Sequence, residues 1–259
     1  MFGITVAQFN QILPAISELW ALEIIGKYKR PGRPYDLSIE DMMLMLLLYY
    51  RSYTTQMFIG YLFDLDAGRV CRIIRILEPL FANVMAISKT RHLSEEEIRH
   101  MIVDATEQPI ERPVRGQKKW YSGKKKRHTV KTEVRITNRG RIVKVSKSVP
   151  GSVHDFALFK EEEPTPQDSH LFVDLGYLGI EKIHKNSECP YKASKNKPLD
   201  KITKAYNKAL SSVRIKIENV LAQIKVFKIL SDRFRNKRKR YNLKFQIISG
   251  IVNMKNGFA

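Results

Sequence analysis

The order of apolar patterns after residue 100 is the feature that most constrains the fold. A short apolar strand comes first, then two segments that alternate apolar and polar residues around NRGR, as the strands of a β-hairpin do. A helix start, a second apolar strand and a long helical pattern follow. These segments are residues 101–106, 129–137, 142–148, 151–160, 171–179 and 213–227. Strand, hairpin, helix, strand and helices in this order predict an α/β domain.

The chain before this domain has a helical texture. KYKRPGRPYDLS (27–38) is rich in Pro, Gly and basic residues, which is typical of a linker, and three helical patterns follow it and end near residue 86. SKTRHLSEEE (88–97) then carries a turn and a helix start. We predict three regions, which are an N-terminal arm and linker (1–35), a small all-α domain (36–90) and the α/β domain (100–255).

Within the all-α region the spacing predicts a helix-turn-helix. A first helix covers about 54–62, FDLD makes the turn, and Asp66 can cap the N-terminus of a second helix. The inward positions of that helix are Val70, Ile74 and Leu77, and the outward ones are Arg69, Arg72 and Arg75. The arginines recur every three residues and can face a DNA groove or its phosphates. Any short amphipathic helix of a basic protein could carry three arginines, so the motif is weak alone.

The charge distribution points to a polyanionic partner. The net charge is +20 and the pI is about 9.9. Residues 112–148 contain fourteen Lys or Arg and one acid, Glu133, and residues 232–244 contain seven more basic residues. Such runs can be solvated surface, but two of them favour contacts with the phosphates of double-stranded DNA. The candidates in the first run are Lys124, Lys125, Lys126 and Arg127.

Other classes are disfavoured by the sequence. The longest strongly apolar run, MMLMLLLYY (42–50), is far shorter than the roughly 20 residues that cross a bilayer. The N-terminus has neither a positive region nor an uninterrupted apolar core, so no signal peptide is predicted. Cys71 and Cys189 lie far apart and form neither a zinc motif nor a disulfide framework. We therefore expect a reduced, cytoplasmic protein without a membrane segment.

Three acids are candidates for a metal site. Asp104 and Asp174 each stand at the predicted end of an apolar strand, where either one alone is more often a turn-former or a helix cap. Glu218 lies on the long helix in one stripe with Arg214 and Lys225, about 100–140° round from the apolar face. The alternative is a surface pair between Arg214 and Glu218. Carboxylates that share one site need cations, and oxygen ligands suit Mg²⁺ or Mn²⁺, so the set suggests a two-ion nuclease.

Further residues have open interpretations. Glu107 could lean toward the metal ions, contact the residues that hold them, or be a surface acid. Ser152 and Asp155 form an S-x-x-D pattern, which predicts a capping box for the helix that follows. Asp155 could also contact the residues that hold the metal ions. Trp120 and Tyr121 could stack on an unpaired base or anchor their loop to the core.

Several motifs together resemble one family. VDATEQPIERP, YSGKKKRHTVKTEV, GSVHDFALF, VDLGYLGI and NKALSSVRIKIENVLAQIKVFKILSDRFRNK resemble the DDE transposases of bacterial insertion sequences, in the branch similar to PIF/Harbinger elements. GRPYDLSIEDMMLMLLLYYRSYTTQMFIGYLFDLDAGRVCRIIRILE is similar to their N-terminal helix-turn-helix. The resemblance covers about residues 32–254.

The resemblance implies an RNase H-like core with Asp104 on the first strand, Asp174 after the fourth and Glu218 on a late helix. It implies metal-dependent hydrolysis of one strand at a transposon end, after which the freed 3′-hydroxyl attacks target DNA. Arg214, Glu218 and Lys225 match an R-x3-E-x6-K pattern of related transposases, and Arg214 and Lys225 would hold substrate phosphates. Those relatives have Tyr where this chain has Ser211, which puts an aromatic DNA contact there in doubt.

Two other functions stay open at this point. The first is a DNA-binding protein derived from such an element that has lost catalysis, and the second is a host-adapted nuclease that cuts without strand transfer. All three acids are present, as an active enzyme requires. By analogy with paired transposon ends, we expect a homodimer on DNA and association with the nucleoid.

Overall fold

The structure is a computed structural model that describes residues 2–26, 35–87, 92–194 and 198–258. The predicted linker at 27–34 and the start of the predicted turn at 88–91 lie outside the described residues. The chain packs as two compact units. Unit 1 comprises Met1–Ala86, Ile224–Asp232 and Asn236–Ala259, and unit 2 comprises Ile87–Gln223 and Arg233–Arg235. The predicted domain boundaries stay predictions, since these units are defined by packing and unit 1 takes in the C-terminus.

The α-helices and strands have the following bounds in chain order. The helices are α1 (Val6–Trp20), α2 (Ile39–Ser52), α3 (Gln56–Leu62), α4 (Ala67–Val84), α5 (Glu95–Ile98), α6 (Gln117–Trp120), α7 (Asp155–Glu161), α8 (Lys201–Lys225) and α9 (Tyr241–Lys255). The strands are β1 (His100–Pro109), β2 (Tyr121–Ser122), β3 (Arg127–Thr137), β4 (Ile142–Val145), β5 (Val149–Pro150), β6 (His170–Phe172) and β7 (Ser187–Glu188).

The helix-turn-helix of unit 1 is formed by α3 and α4, as predicted. The Asp66 side chain caps α4 by accepting a hydrogen bond from the Arg69 N–H at 2.9 Å. The inward positions are buried, and they are Val70, Ile74 and Leu77. The turn requires glycine at position 60, because a Cβ there would collide with the carbonyl oxygen of Leu65.

A buried ionic cluster joins α4 to α9 within unit 1. Glu78 on α4 is completely buried, and its carboxylate lies 2.6 Å from Lys244 Nζ and 3.0 Å from Arg240 Nη1. The Tyr50 hydroxyl donates a third contact to it at 3.1 Å. Because each charge of the cluster has a partner, the cost of burying Glu78 and Lys244 is offset. Burial lowers the pKa of Lys244.

Unit 2 is built on a mixed sheet in which the strand order is β4-β3-β1-β6-β7. The strands β1, β3 and β4 form an antiparallel meander, and β6 and β7 run parallel to β1. The short strands β2 and β5 also pair with β3. The helix α7 separates the meander from β6, and α8 follows β7. The predicted α/β architecture is confirmed and consists of a mixed sheet with flanking helices, and the β3–β4 hairpin is confirmed as well.

The polar face of β3 departs from the alternating pattern of its sequence. Period two with polar residues suggests a solvated face, but Lys131, Glu133 and Arg135 are all buried. Arg135 Nε donates to Glu133 Oε1 at 2.8 Å, and the Tyr177 hydroxyl donates to Glu133 Oε2 at 3.3 Å. Both faces of β3 are therefore buried, and the charged side chains of the polar face are neutralised by ion pairs.

The capping box predicted for α7 is wrong. The helix begins two residues later than that box requires, because the cap position is His154 instead of Ser152, and His154 makes no side-chain capping bond. The Ser152 hydroxyl instead donates to the carbonyl oxygen of Lys119 at 2.6 Å. Asp155 is thereby left to bond with a lysine of β3.

The long helix α8 extends further toward the N-terminus than its apolar pattern indicated. Its apolar face is buried as predicted at Ile217 and Val220. A ring contact between Tyr206 and Tyr191 fixes its first turns, together with hydrogen bonds that include the one from the Tyr206 hydroxyl to Glu188 Oε2 at 3.0 Å. Within the described ranges, no helix is both long and apolar enough to span a bilayer.

Candidate active site

Asp104 and Asp174 are brought together by the register of two parallel strands. The pairing of β1 with β6 ends at Ile102 and Phe172, which are partners, and each aspartate follows its partner residue by two positions. Because side chains alternate along extended chains, both carboxylates leave the sheet on the same side at the same level. Register alone therefore makes them neighbours.

One part of the prediction for Asp104 is wrong. The apolar run ends at Asp104, but β1 continues for five more residues to Pro109. The antiparallel partner β3 pairs with β1 over this whole polar stretch, which keeps it extended. Asp104 is nevertheless at an opening of the sheet, because the parallel partner on the other side has already ended.

The turn after β6 fixes Asp174. Its Oδ1 accepts a hydrogen bond from the Gly176 N–H at 2.7 Å and caps a 3₁₀ turn, Leu175–Tyr177. The Cys189 thiol donates to the Asp174 carbonyl oxygen at 3.2 Å. The turn packs closely at Gly176, where a Cβ would lie 2.8 Å from Asp174 Oδ1. The backbone and the side chain of Asp174 are thus both held.

The negative charge of Asp104 is only partly neutralised by its surroundings. Burial and, after it, the charge of Asp174 raise the pKa of Asp104 to about 6. Arg214 opposes this shift, but its Nη2 lies 3.7 Å from Asp104 Oδ2, which is beyond hydrogen-bonding distance. The pair is therefore only partly compensated by the protein.

The helix α8 brings Arg214 to the site and exposes Glu218 one turn later. Arg214 is largely buried, and its Nε has no hydrogen-bond partner among the described residues. Glu218 is exposed, and it makes no ion pair with Arg214. The surface-pair alternative is therefore not what the structure shows. In residues 2–26, 35–87, 92–194 and 198–258, no three His, Cys, Asp or Glu side chains already lie close enough to hold a metal ion.

The donor set present fits a hard divalent cation. Carboxylate oxygens are the ligands that Mg²⁺ and Mn²⁺ prefer, and the repulsion that raises the pKa of Asp104 is what a bound cation would remove. Asp104 and Asp174 supply these oxygens, and the placement of Glu218 as a third ligand stays a prediction.

The raised pKa of Asp104 predicts how cation binding depends on pH. Its carboxylate takes up a proton as the pH falls through about 6, and a cation must then displace that proton. We expect the Mn²⁺ affinity of the full chain to fall about tenfold for each pH unit below this value. Titration by electron paramagnetic resonance at a series of pH values measures this. An Asp104→Asn variant should bind Mn²⁺ too weakly to show this slope, and an equal slope in both proteins would contradict the assignment.

The predicted DNA-binding residues lie on exposed parts of both units. On α4, Arg72 and Arg75 are exposed, whereas Arg69 forms ion pairs with Asp36 and Asp66. The basic residues of the β2–β3 turn are all exposed, and they are Lys124, Lys125, Lys126 and Arg127. Lys126 has a φ of 53°, so the turn is tight and presents consecutive positive charges. Lys225, the last residue of α8, is exposed as well.

Sequence reasoning missed the role of Lys131. It lies opposite Glu107 in the β1–β3 register, and its Nζ is 2.6 Å from Asp155 Oδ1. Glu107 is thereby placed in a buried ionic cluster beside the site, and it is not a surface acid. A lysine and an acid in matched strands were the available signal, but alternation suggested solvent exposure for both.

Comparison with known proteins identifies the family. The profile described as DDE superfamily endonuclease matches residues 103–253, and that described as the helix-turn-helix of DDE superfamily endonuclease matches residues 35–86. The chain belongs to the DDE superfamily endonucleases and is an enzyme of that class. The family implies the use of a divalent metal ion.

Two relatives carry names that refer to insertion sequences. A protein of Microchaete diplosiphon, named as the probable transposase for insertion sequence element IS702, is 39% identical over 98% of this chain and 92% of its own. A protein of Streptomyces albus G, named provisionally as a transposase for insertion sequence element IS112, is 24% identical over 89% of this chain and 84% of its own. No solved structure matches the chain significantly. The PIF/Harbinger branch stays a prediction.

Proposed function

We propose that this chain is the transposase of a bacterial insertion sequence. It cleaves one DNA strand at each end of the element and joins the freed 3′-hydroxyl to target DNA. The relative named for IS702 supports this, since it matches nearly the full length of both proteins. The observation that carries the chemistry is the register-matched pair of Asp104 and Asp174, in which the pKa of Asp104 is raised to about 6.

In this proposal Asp104, Asp174 and Glu218 hold the cations, which are two Mg²⁺ or Mn²⁺ ions. When bound, such ions stabilise the charge that develops on a phosphodiester and make water or a hydroxyl a better nucleophile. The protein supplies the placement of the carboxylates. Asp174 is held by its turn, Asp104 by two strands, and Glu218 by the helix that also carries Arg214.

Arg214 is assigned to the substrate phosphate. Its buried Nε lacks an acceptor in the described part of the chain, and a phosphate oxygen is the acceptor that a guanidinium fits best. Its charge also limits the repulsion between the DNA and the acidic pair. Lys225 is assigned to a phosphate contact from the exposed end of the same helix.

Recognition of the element ends is assigned to α4, and the β2–β3 turn is assigned to backbone contacts. The evidence is the exposed positive charge on each and the match of residues 35–86 to a helix-turn-helix profile. We further propose a homodimer on the paired ends, because two ends must be processed together. A protein of this function would be cytoplasmic and associated with the nucleoid.

Strand transfer is tested with a pre-nicked substrate. An oligonucleotide that carries one native element end and a free 3′-hydroxyl is incubated with the protein, Mg²⁺ and a target plasmid. Covalent joining supports a transposase. Nicking of an intact end without joining would instead favour a host-adapted nuclease, and binding without either reaction would favour an inactive DNA-binding derivative.

The exposed arginines of α4 should set the salt dependence of DNA binding. We expect Arg72→Ala combined with Arg75→Ala to lower affinity for an element end and to reduce the slope of log affinity against log salt by about 2. Fluorescence anisotropy over a salt series measures both quantities. As a control, Arg139→Ala removes an exposed arginine of unit 2, which pairs with Glu96 of the same unit. A reduction of the slope by about 1 in that control, which removes one charge instead of two, would mean that only net charge matters.

A further inference from the structure

A buried lysine, Lys131, belongs to an ionic cluster near the acidic pair, which is Asp104 and Asp174. The Lys131 side chain is 7% exposed, and its Nζ lies 2.6 Å from Asp155 Oδ1 and 3.5 Å from Glu107 Oε1. The same ammonium donates to the carbonyl oxygen of Val153 at 2.6 Å. Burying a lysine costs free energy that its partners must offset, so its environment is built around it. The bonded partners lie on β1 and at the start of α7.

The other oxygen of Asp155 faces the turn that holds Asp174. A Cβ built on Gly176 would lie 2.5 Å from Asp155 Oδ2 and 2.8 Å from Asp174 Oδ1. The two carboxylate oxygens therefore lie close to the same point in space, next to the Cα of Gly176, which has no side chain. The charge of Asp155 also contributes to the raised pKa of Asp104. Asp155 thus belongs to the same electrostatic group as the acidic pair.

Two carboxylates that face each other repel, so other groups must hold them in place. Lys131 holds Asp155 by Oδ1, and Glu107, the second anion beside Lys131, is itself fixed by the Thr129 hydroxyl at 2.7 Å. Lys131 can therefore not move away without leaving two buried acids unpaired. The arrangement orients Oδ2 of Asp155 toward the turn that holds Asp174.

We propose that Asp155 is a further carboxylate of the cation site and that Lys131 is the residue that positions it. The inference rests on the proposed cation site of Asp104 and Asp174. Lys131 touches no substrate in this scheme. It acts through Asp155, by fixing the orientation of that carboxylate.

The test is the Mn²⁺ affinity of the full chain without DNA, measured by electron paramagnetic resonance. We expect Asp155→Asn and Lys131→Met each to weaken binding about tenfold, as loss of a residue that orients a metal site does. The double variant should bind no more weakly than Asp155→Asn alone, because Lys131 acts only through that residue. Additive losses would overturn the proposal.

Two controls separate positioning from general stability. Lys144→Met removes another lysine that is 15% exposed and bonded to Glu162 and Glu163, and it should leave the Mn²⁺ affinity unchanged. Gly176→Ala keeps every charge but forces Asp155 and Asp174 apart, so it should weaken binding even if Lys131→Met folds poorly. Gly123→Ala, which adds its methyl group in open space, should have no effect. Unchanged affinity in Gly176→Ala would overturn the proposal.

Asp104→Asn tells the two possible failures apart. If it abolishes Mn²⁺ binding while Asp155→Asn and Lys131→Met bind normally, the proposed cation site stands and the inference about Lys131 is overturned. If Asp104→Asn also binds normally, the cation site itself is misassigned, and the inference is overturned with it.

Discussion

Asp104→Asn should abolish strand nicking and stabilise the metal-free protein in one substitution. Loss of a carboxylate that holds the cation removes several kcal/mol of stabilisation from the reaction, so nicking should fall at least about a thousandfold. DNA affinity should change little, because Asp104 lies among acids and does not supply a phosphate contact. Nicking of a supercoiled plasmid and anisotropy of a labelled end measure the two quantities.

The stability part of this prediction follows from the pKa of Asp104. The folded value of about 6 is above the ordinary value of 3.8, so ionisation of this group disfavours the folded state. The penalty is absent below about pH 4, grows as the pH rises to about 6 and is complete above it. At neutral pH we therefore expect Asp104→Asn to raise the free energy of unfolding by up to about 3 kcal/mol.

Urea unfolding in EDTA, at neutral pH and at about pH 4, checks this expectation. The stabilisation should be present at the higher pH and small at the lower one. If the variant is inactive and also less stable at neutral pH, the substitution has disrupted the structure of the site. The assignment of Asp104 to the cation would then lose its support.

Glu78→Gln should destabilise unit 1 by about 3–5 kcal/mol, because it leaves the buried Lys244 ammonium without an anion. Lys244 is 5% exposed at its side chain and lies 2.6 Å from Glu78, so water cannot replace the lost charge. Trp20, which is buried on α1, reports unfolding of this unit by fluorescence when Trp120 is changed to Phe. The urea midpoint gives the change in stability.

Two further variants make the Glu78 prediction specific. Asp232→Asn alters a half-exposed pair with Lys228 at 4.0 Å in the same unit and should cost no more than about 0.5 kcal/mol. Adding Lys244→Met to Glu78→Gln removes the stranded charge and should recover part of the loss. Equal costs for Glu78→Gln and Asp232→Asn would contradict the role given to the buried cluster.

Local patterns in the sequence were enough to predict much of the fold. The Asp66 cap, the inward face of α4, the β3–β4 hairpin and the buried face of α8 each depend on residues within one or two elements. The order of these elements then restricts the sheet to few topologies. The resemblance of the motifs to one family pointed to the same architecture, and comparison with known proteins confirmed that family.

The finer features of the site depend on packing that no local pattern shows. The length of β1 beyond Asp104 depends on its pairing with β3. The position of the Asp155 side chain depends on its ion pair with Lys131, which is 24 positions earlier in the chain. A buried Lys131 and an exposed lysine look alike in an alternating strand. Asp104 and Asp174 are neighbours because of the register in which β1 pairs with β6. An apolar run in the sequence does not specify that register.

The most direct test of the central claim is strand nicking on a plasmid that carries the gene with its native flanks. Wild type and Glu218→Gln are compared with Mg²⁺ and with EDTA, and DNA affinity is measured for both proteins. We predict nicks at the flank boundaries that require Mg²⁺ and wild-type Glu218, with DNA affinity nearly equal in the two proteins. Nicks that persist in Glu218→Gln, or an equal loss of nicking and affinity, would contradict the account.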